Sequence, residues 1–551
     1  MKIPAQSVLS TVAALALFIA TSLILFFLLR DVLPSVLQDE LIYLENSKRD
    51  VANYDLPNAA YFKLYSLTEL FGDNFYTAGK ALNHVFSLLT TLVIYFWLLR
   101  RVRPVTAVLI GLSFQVSAFA MYGSFFMPEP MYAFFVIVSI LFFYEATSAV
   151  TSKRLFLFCM SGAGLGAAML VKPHALIILI AVGLYLPVGL RAAGLKEKLI
   201  GLAAIIASFL GMRLVLGLVI GGWQTLDFFA GYISESTLTN VVEKSAQESD
   251  SQLFTAVMAM LGNSLQHFAL IIFLAFPALV AVVSHRRGSY KFTTMVLFVL
   301  FITSLFIAAF EVYVTVFQGD DHLSRVLLRH YEYLVPLLWA GLGIGLSRGD
   351  EKFRSESFSS ALSVFALCIV FLGISLASEP LWGASRYSDS GFTTFLRNPV
   401  LMWTYVLGNF GFASLLMRRK RPTPSWVASV ALAISLLGGA GSIQTVRIEN
   451  LEPYPSDLAA LQIRKDYPDL EGSEILLVTT NKTLAQAGAF LINKEGIELF
   501  VVGSGSTILE KDMPRNFSLW VQFPGVTIVT NQVPVFSKDG AIIYDASKPL
   551  R

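Results

Sequence analysis

Residues 80–103 read KALNHVFSLLTTLVIYFWLLRRVR. Between Lys80 and Arg100 the stretch carries no formal charge. At about 1.5 Å of helical rise per residue, some twenty residues match a hydrocarbon core of about 30 Å. Arg100, Arg101 and Arg103 then close the run. Arginines beside a span end are retained on the cytoplasmic side, so one segment supplies both a membrane crossing and its direction.

The pattern repeats along the chain. Apolar runs fall at 7–29, 80–99, 105–124, 128–148, 155–171, 174–191, 199–220, 255–283, 292–313, 332–347, 358–377, 400–416 and 426–444. They predict a polytopic α-helical membrane protein with about thirteen crossings. The first run, after Lys2, is too long for the apolar core of a signal peptide and lacks a small-residue cleavage site, so it reads as a retained helix. Every second connection is basic: Arg100 to Arg103, Lys153-Arg154, Arg191 to Lys198, His285 to Lys291, Arg348 to Arg354, and Arg418 to Arg421. This alternation predicts a cytoplasmic N-terminus and a chain that is outside the membrane from about residue 445.

Composition agrees. Hydrophobic residues make up 55% of the 551 and charged residues 14%, too apolar for a soluble globular chain. A formal net charge of +3, with its basic residues in short clusters between spans, does not describe a nucleic-acid binder. Cys159 and Cys368 both lie within apolar runs, so no disulfide of an outer loop is expected.

Two domains follow: a transmembrane part over 1–444, with its first outer loop at 30–79, and a soluble extracytoplasmic α/β domain over 445–551. In the latter, β-rich runs occur at 474–479, 497–503, 517–523, 526–530 and 541–544. A helix capped by Thr480-Asn481 and carrying Leu484, Ala487 and Leu491 on one side would complete a β-α-β unit. Two N-x-S/T triplets, at Asn481 and Asn516, are too short to carry weight.

Polar residues gather on the outer side. The first outer loop holds Gln38-Asp39-Glu40-Leu41-Ile42-Tyr43. The ordinary reading of two adjacent carboxylates is a solvated loop. Here Tyr61, Leu64, Leu67 and Phe71 follow at helical spacing, so the loop can be held along the interface. Phe126-Met127-Pro128-Glu129-Pro130 presents a second carboxylate between prolines, or simply starts a helix. Lys172, Pro173 and His174 occupy a tight outer turn, where a snorkelling lysine is the alternative to a site. Arg213 lies about seven residues inside its span, at a depth that costs up to about 3 kcal/mol unless it faces a cavity, an anion or the interface.

The loop before the tenth span reads Gly319-Asp320-Asp321-His322-Leu323-Ser324-Arg325, then Arg329-His330-Tyr331-Glu332-Tyr333. Phosphate recognition by Arg325 or Arg329 fits guanidinium geometry better than metal binding fits Asp320, Asp321 and His322, which lack a spacing characteristic of a metal site. Carboxylates and cations on one membrane side suggest a base beside a phosphate site, the division of labour needed to move a group from a lipid phosphate to a hydroxyl.

In order, spacing and common membrane side, these motifs resemble the membrane glycosyltransferases of the GT-C superfamily, especially the protein mannosyltransferase and aminoarabinose transferase (ArnT-like) branch. The resemblance spans roughly residues 1–345. Asp39-Glu40-Leu41-Ile42-Tyr43 is similar to the family's D-E-x-x-Y element; Leu56-Pro57 through Phe71-Gly72 to Lys80, Asn83 and Arg100-Arg101 is similar to its passage into the second span. Pro128-Glu129-Pro130 sits where the second acidic motif falls, and Lys172-Pro173 resembles the basic residue after the fifth span. Pro57-Asn58 stands where the family has a proline pair, and Lys80 where it has arginine.

The resemblance implies inverting transfer of one hexose or pentose from a polyprenyl-phosphate-sugar donor to an extracytoplasmic lipid, glycan or protein, in a multi-pass protein of a bacterial inner membrane. Asp39 would be the base. Glu40, Tyr43 and Glu129 would orient acceptor or donor sugar, while Lys172, Arg213, Arg325 and Arg329 would bind the lipid phosphate. His174, His322 and Tyr331 are further polar candidates. A divalent metal is compatible with this chemistry and not required by it. The rival classes are a transporter or flippase, which predicts midplane charges and paired repeats, and a polymerase or ligase of lipid-linked glycans, which shares the chemistry.

Overall fold

The computed structural model describes residues 5–34, 37–49, 56–226, 257–269, 291–313, 330–348, 423–494, 496–514 and 517–546, with isolated helical positions between 254 and 411. Contacts divide the chain into two units. One comprises Met1–Arg30, Asp50–Ser124 and Pro128–Val446; the other comprises Asp31–Arg49, Phe125–Met127 and Arg447–Arg551.

The first unit is helical: α1 (Ala5–Leu29), α3 (Ala59–Tyr65), α4 (Phe75–Leu98), α5 (Pro104–Gln115), α6 (Glu129–Ser148), α7 (Thr151–Met169), α8 (Ala175–Gly189), α9 (Leu195–Gly221), α10 (Lys291–Tyr313), α11 (Val335–Arg348) and α12 (Pro424–Asn450). The label α2 belongs to Leu37–Lys48 of the second unit. Among the described residues, six helices are long and apolar enough to cross a membrane, and up to seven if a bent pair counts as one. The chain is a multi-pass membrane protein. The run at 358–377 and much of 255–283 and 400–416 lie outside the described residues, so the figure of thirteen is not tested.

Small residues let the helices approach. Gly162 and Gly166 on α7 sit where a β-carbon would collide with the Ile205 and Phe209 carbonyls of α9. Removing side chains at a four-residue spacing brings backbones together, which is how helices associate where lipid supplies no hydrophobic drive between them.

The single span expected at 105–124 is broken. α5 stops at Gln115 and a 3₁₀ turn over Ala118–Ser124 leaves at 54°. The break is supported on all sides: Ser117 Oγ donates to the Phe114 carbonyl at 2.8 Å and Gln115 Nε2 to the Phe18 carbonyl at 2.9 Å. Gly439 of α12 comes so close to the Val116 carbonyl that no β-carbon fits. Tyr61 is buried and stacks on Tyr65 with ring centroids 4.0 Å apart, whereas Leu67, Leu70 and Phe71 are exposed. Gly72, with φ of 52°, turns the chain into α4, a backbone region that favours glycine.

The second unit contains α2, α13 (Pro455–Asp466), α14 (Lys482–Ile492) and seven strands: β1 (Ile475–Thr479), β2 (Glu498–Val501), β3 (Thr507–Leu509), β4 (Leu519–Gln522), β5 (Thr527–Val529), β6 (Pro534–Lys538) and β7 (Ala541–Asp545). Five strands form a sheet in the order β2-β1-β4-β7-β6, parallel from β2 to β4 and antiparallel beyond; β3 and β5 pair separately, in parallel. The predicted β-α-β unit is β1, α14 and β2. The helix α13 and strands β3 and β6 were not anticipated.

Central strands β1 and β4 are buried along their whole length. Leu476, Val478, Trp520 and Tyr544 pack on one face with Ile508, Phe517 and Ile528. Gln522, on that face, accepts hydrogen bonds from the Ile528 amide at 2.9 Å and the Tyr544 hydroxyl at 3.3 Å, tying the small sheet to the large one. Strand β6 is largely exposed, begins at Pro534 and has an irregular register before Phe536, devices that blunt a sheet edge.

Candidate active site

The first acidic motif opens α2. Asp39 and Glu40 both lie in its first turn, where free amides and the helix dipole favour negative charge. Glu40 is fully buried, and its Oε1 accepts the Phe126 amide at 2.6 Å. Asp39, one position earlier, is half-buried. Tyr43 and Leu44 lie three and four residues beyond Glu40 on the same face and are buried with it. The helix rests on α14, and Phe126 meets the Phe490 ring of α14 edge to face at 6.1 Å.

The second acidic motif opens α6. Glu129 is its first residue, between Pro128 and Pro130. Lys172 Nζ donates to Glu129 Oε1 at 2.6 Å, and both side chains are almost wholly buried. The other oxygen, Glu129 Oε2, makes no hydrogen bond among the described residues. The turn that carries Lys172 is fixed from behind: Asn58 Nδ2 donates to the Val171 carbonyl at 2.7 Å and the Ala60 amide to the Leu170 carbonyl at 2.9 Å. Isolated charges at such depth would be costly; pairing them makes burial tolerable.

His174, two residues beyond Lys172, stacks on His330 with centroids 4.1 Å apart and planes 11° apart. The next residue, Tyr331, pairs its hydroxyl with His267 Nδ1. His267 Nε2 meets Glu311 Oε2 at 2.9 Å, and Asn263 Nδ2 donates to the same oxygen. This buried network was missed in the sequence, although the signal was there: His267 and Glu311 each interrupt an apolar run, and ionisable residues within spans are functional candidates by default.

Arg213 is completely buried in α9. Gly217, one turn later, leaves room for its guanidinium: a β-carbon there would stand 2.9 Å from Nη1. Lys80 is buried at the end of α1, where Nζ donates to the Arg30 and Leu29 carbonyls at 2.9 and 3.3 Å and lies 4.1 Å from the centre of the Tyr76 ring. A lysine there satisfies helix-end carbonyls and meets the negative pole of the dipole.

The structure therefore joins Glu129 to Lys172, and Tyr331 to a network of its own with the His174–His330 stack beside it in sequence. Asp39, Glu40 and Tyr43 stand together in the second unit. Arg325, Arg329 and His322 lie outside the described residues, as do Asp320 and Asp321. Among the described residues, no group of three or more His, Cys, Asp or Glu side chains is placed to hold a metal ion.

Residues 59–234 match the family of dolichyl-phosphate-mannose-protein mannosyltransferases. Glu129, Lys172, His174 and Arg213 fall within that stretch; Asp39, Glu40 and Tyr43 precede it. No curated protein matches the chain by sequence. Among solved structures, ArnT from Cupriavidus metallidurans bound to undecaprenyl phosphate is similar at 15% identity and a TM-score of 0.50, over 96% of this chain and 97% of that one. An Archaeoglobus fulgidus oligosaccharyltransferase in complex with Zn and sulfate is similar at 13% identity and a TM-score of 0.44, over 92% of this chain and 67% of that one. The chain thus has the GT-C fold of membrane glycosyltransferases, and its residues 59–234 carry the sequence pattern of the protein mannosyltransferase family.

Proposed function

We propose that the protein moves a single sugar from a polyprenyl-phosphate donor to a hydroxyl-bearing acceptor outside the cytoplasm, with inversion at the anomeric carbon. The observation that carries this reading is the way the first acidic motif is held. Glu40 is anchored by the Phe126 amide, which leaves the adjacent Asp39 half-buried on the first turn of α2. The match to the mannosyltransferase family and the shared fold of an ArnT bound to undecaprenyl phosphate support a lipid-phosphate donor.

In this mechanism the acceptor oxygen attacks the anomeric carbon while Asp39 takes its proton. The bond from that carbon to the phosphate oxygen breaks, and its electron pair leaves with the polyprenyl phosphate. Arg213, with Arg325 and Arg329, meets the phosphate charge. Lys172 holds Glu129, whose free oxygen accepts from a sugar or acceptor hydroxyl. A cytoplasmic N-terminus and an outward-facing reaction in a bacterial inner membrane belong to the same proposal.

The test compares purified wild type with Asp39→Asn for turnover of radiolabelled polyprenyl-phosphate sugars, with membrane extract as the acceptor source. Loss of turnover with retained donor binding is expected. Equal turnover removes Asp39 as the base, and no turnover of any donor by wild type makes a transporter the next reading. A product carrying a repeat unit instead of one sugar makes the protein a polymerase or ligase.

A further inference from the structure

The second unit contains a cavity of about 570 Å³ lined by Glu510, Lys511, Phe517, Trp520, Asn531 and Gln532, with Ala546. Its size lies in the range of small-ligand sites. Phe517 and Trp520 are buried; Glu510 and Gln532 are half-buried; Lys511 and Asn531 are exposed. An aromatic floor thus meets a polar rim.

The rim is built. Glu510 Oε2 accepts the Thr530 hydroxyl at 2.6 Å and the Asn531 amide at 3.2 Å, while the Gln532 amide donates to Thr530 Oγ1 at 3.0 Å. These bonds use the backbone of residues 531 and 532 and leave their side-chain amides without partners among the described residues. The floor has a deficit of its own. Trp520 is 5% exposed, and its indole N–H has no hydrogen-bond acceptor among the described residues. Buried polar groups are nearly always satisfied, so a buried donor lacking an acceptor beside a cavity marks what a ligand would bring.

We propose that this cavity binds a saccharide ring of the acceptor. A sugar offers apolar C–H groups to the edges of Phe517 and Trp520 that reach the cavity, an oxygen to the indole N–H, and neighbouring hydroxyls that both donate and accept. Planar amides, a carboxylate and an ammonium group answer such hydroxyls in both senses. A peptide fits less well: its alternating backbone groups are met by a strand edge or a row of pockets, whereas the lining here combines an aromatic pair with amide, carboxylate and ammonium groups. The proposal rests on the glycosyltransferase reading and narrows it: the acceptor is itself a glycan or glycolipid, recognised outside the reacting centre.

The test uses the full-length protein in detergent and reads binding without turnover. Saturation-transfer NMR is run with methyl glycosides of mannose, glucose, galactose, rhamnose and N-acetylglucosamine, and with an unglycosylated Ser/Thr-rich peptide. At least one glycoside is expected to bind, with affinity falling at least about tenfold in Asn531→Ala/Gln532→Ala. Trp520→Phe, which keeps the aromatic face and deletes the N–H, is expected to weaken the same glycoside. Asp39→Asn leaves this binding unchanged, so loss of turnover and loss of sugar binding separate the two readings. Absence of glycoside binding, binding indifferent to the rim substitutions, or binding of the peptide alone would each overturn the proposal.

Discussion

Lys172 and Glu129 form a 2.6 Å ion pair between the turn after α7 and the first residue of α6, with both side chains almost fully buried. The pair is internally neutral, so neither charge depends on lipid or water for its balance. It also spends part of the Lys172 charge within the protein, on holding Glu129.

Removing Lys172 leaves Glu129 buried without the counter-charge it has here. Lys172→Met is expected to destabilise the protein by about 3–5 kcal/mol, and the double variant Lys172→Met/Glu129→Gln by much less. Thermal unfolding in detergent checks the order. A double variant no more stable than the single one would mean that the pair does not carry the cost.

Glu40 is a different case, because it accepts from a backbone amide. Glu40→Gln keeps an oxygen for the Phe126 N–H and loses the assistance of the charge; Glu40→Ala removes that oxygen, at about 1–3 kcal/mol. Both stability and turnover should therefore fall in the order wild type, Gln, Ala. Equal loss in the two variants would remove the hydrogen bond as the reason Glu40 matters.

Gly439 lies where the broken span requires close approach of α12 to the Val116 carbonyl. Gly439→Ala should force the helices apart and lower the melting temperature, at about 1–3 kcal/mol for overpacking. Gly211, also within a membrane helix but with open space around its β-carbon position, is the control: Gly211→Ala should be neutral or slightly stabilising. Equal melting of the two variants would mean that Gly439 does not set the approach.

Much of the fold could be read because lipid imposes it. An uncharged stretch such as 81–98 has few alternatives to a spanning helix, and α4 duly covers it. The β-α-β unit was legible for a similar reason: Ile475–Thr479 is a short apolar run followed by a capped amphipathic helix. Strand β6 was not, since an edge strand needs no apolar pattern and Pro534 argues against one. The break after Gln115 was hidden as well. Residues 105–124 are apolar throughout, and what ends the helix there comes from Phe18 and Gly439, far away in the chain.

The sequence by itself determined that this protein lives in a membrane, that its polar motifs stand at the ends of apolar helices, and which carboxylates and cations deserve attention. These follow from local transfer energies, which each segment meets independently of the rest. Only the tertiary structure decided that Lys172 is spent on Glu129, that Glu40 serves the Phe126 amide, and that His267, Glu311 and Tyr331 form one network. Those choices depend on which residues, distant in sequence, meet in the buried interior, where a charge or donor left without a partner is costly.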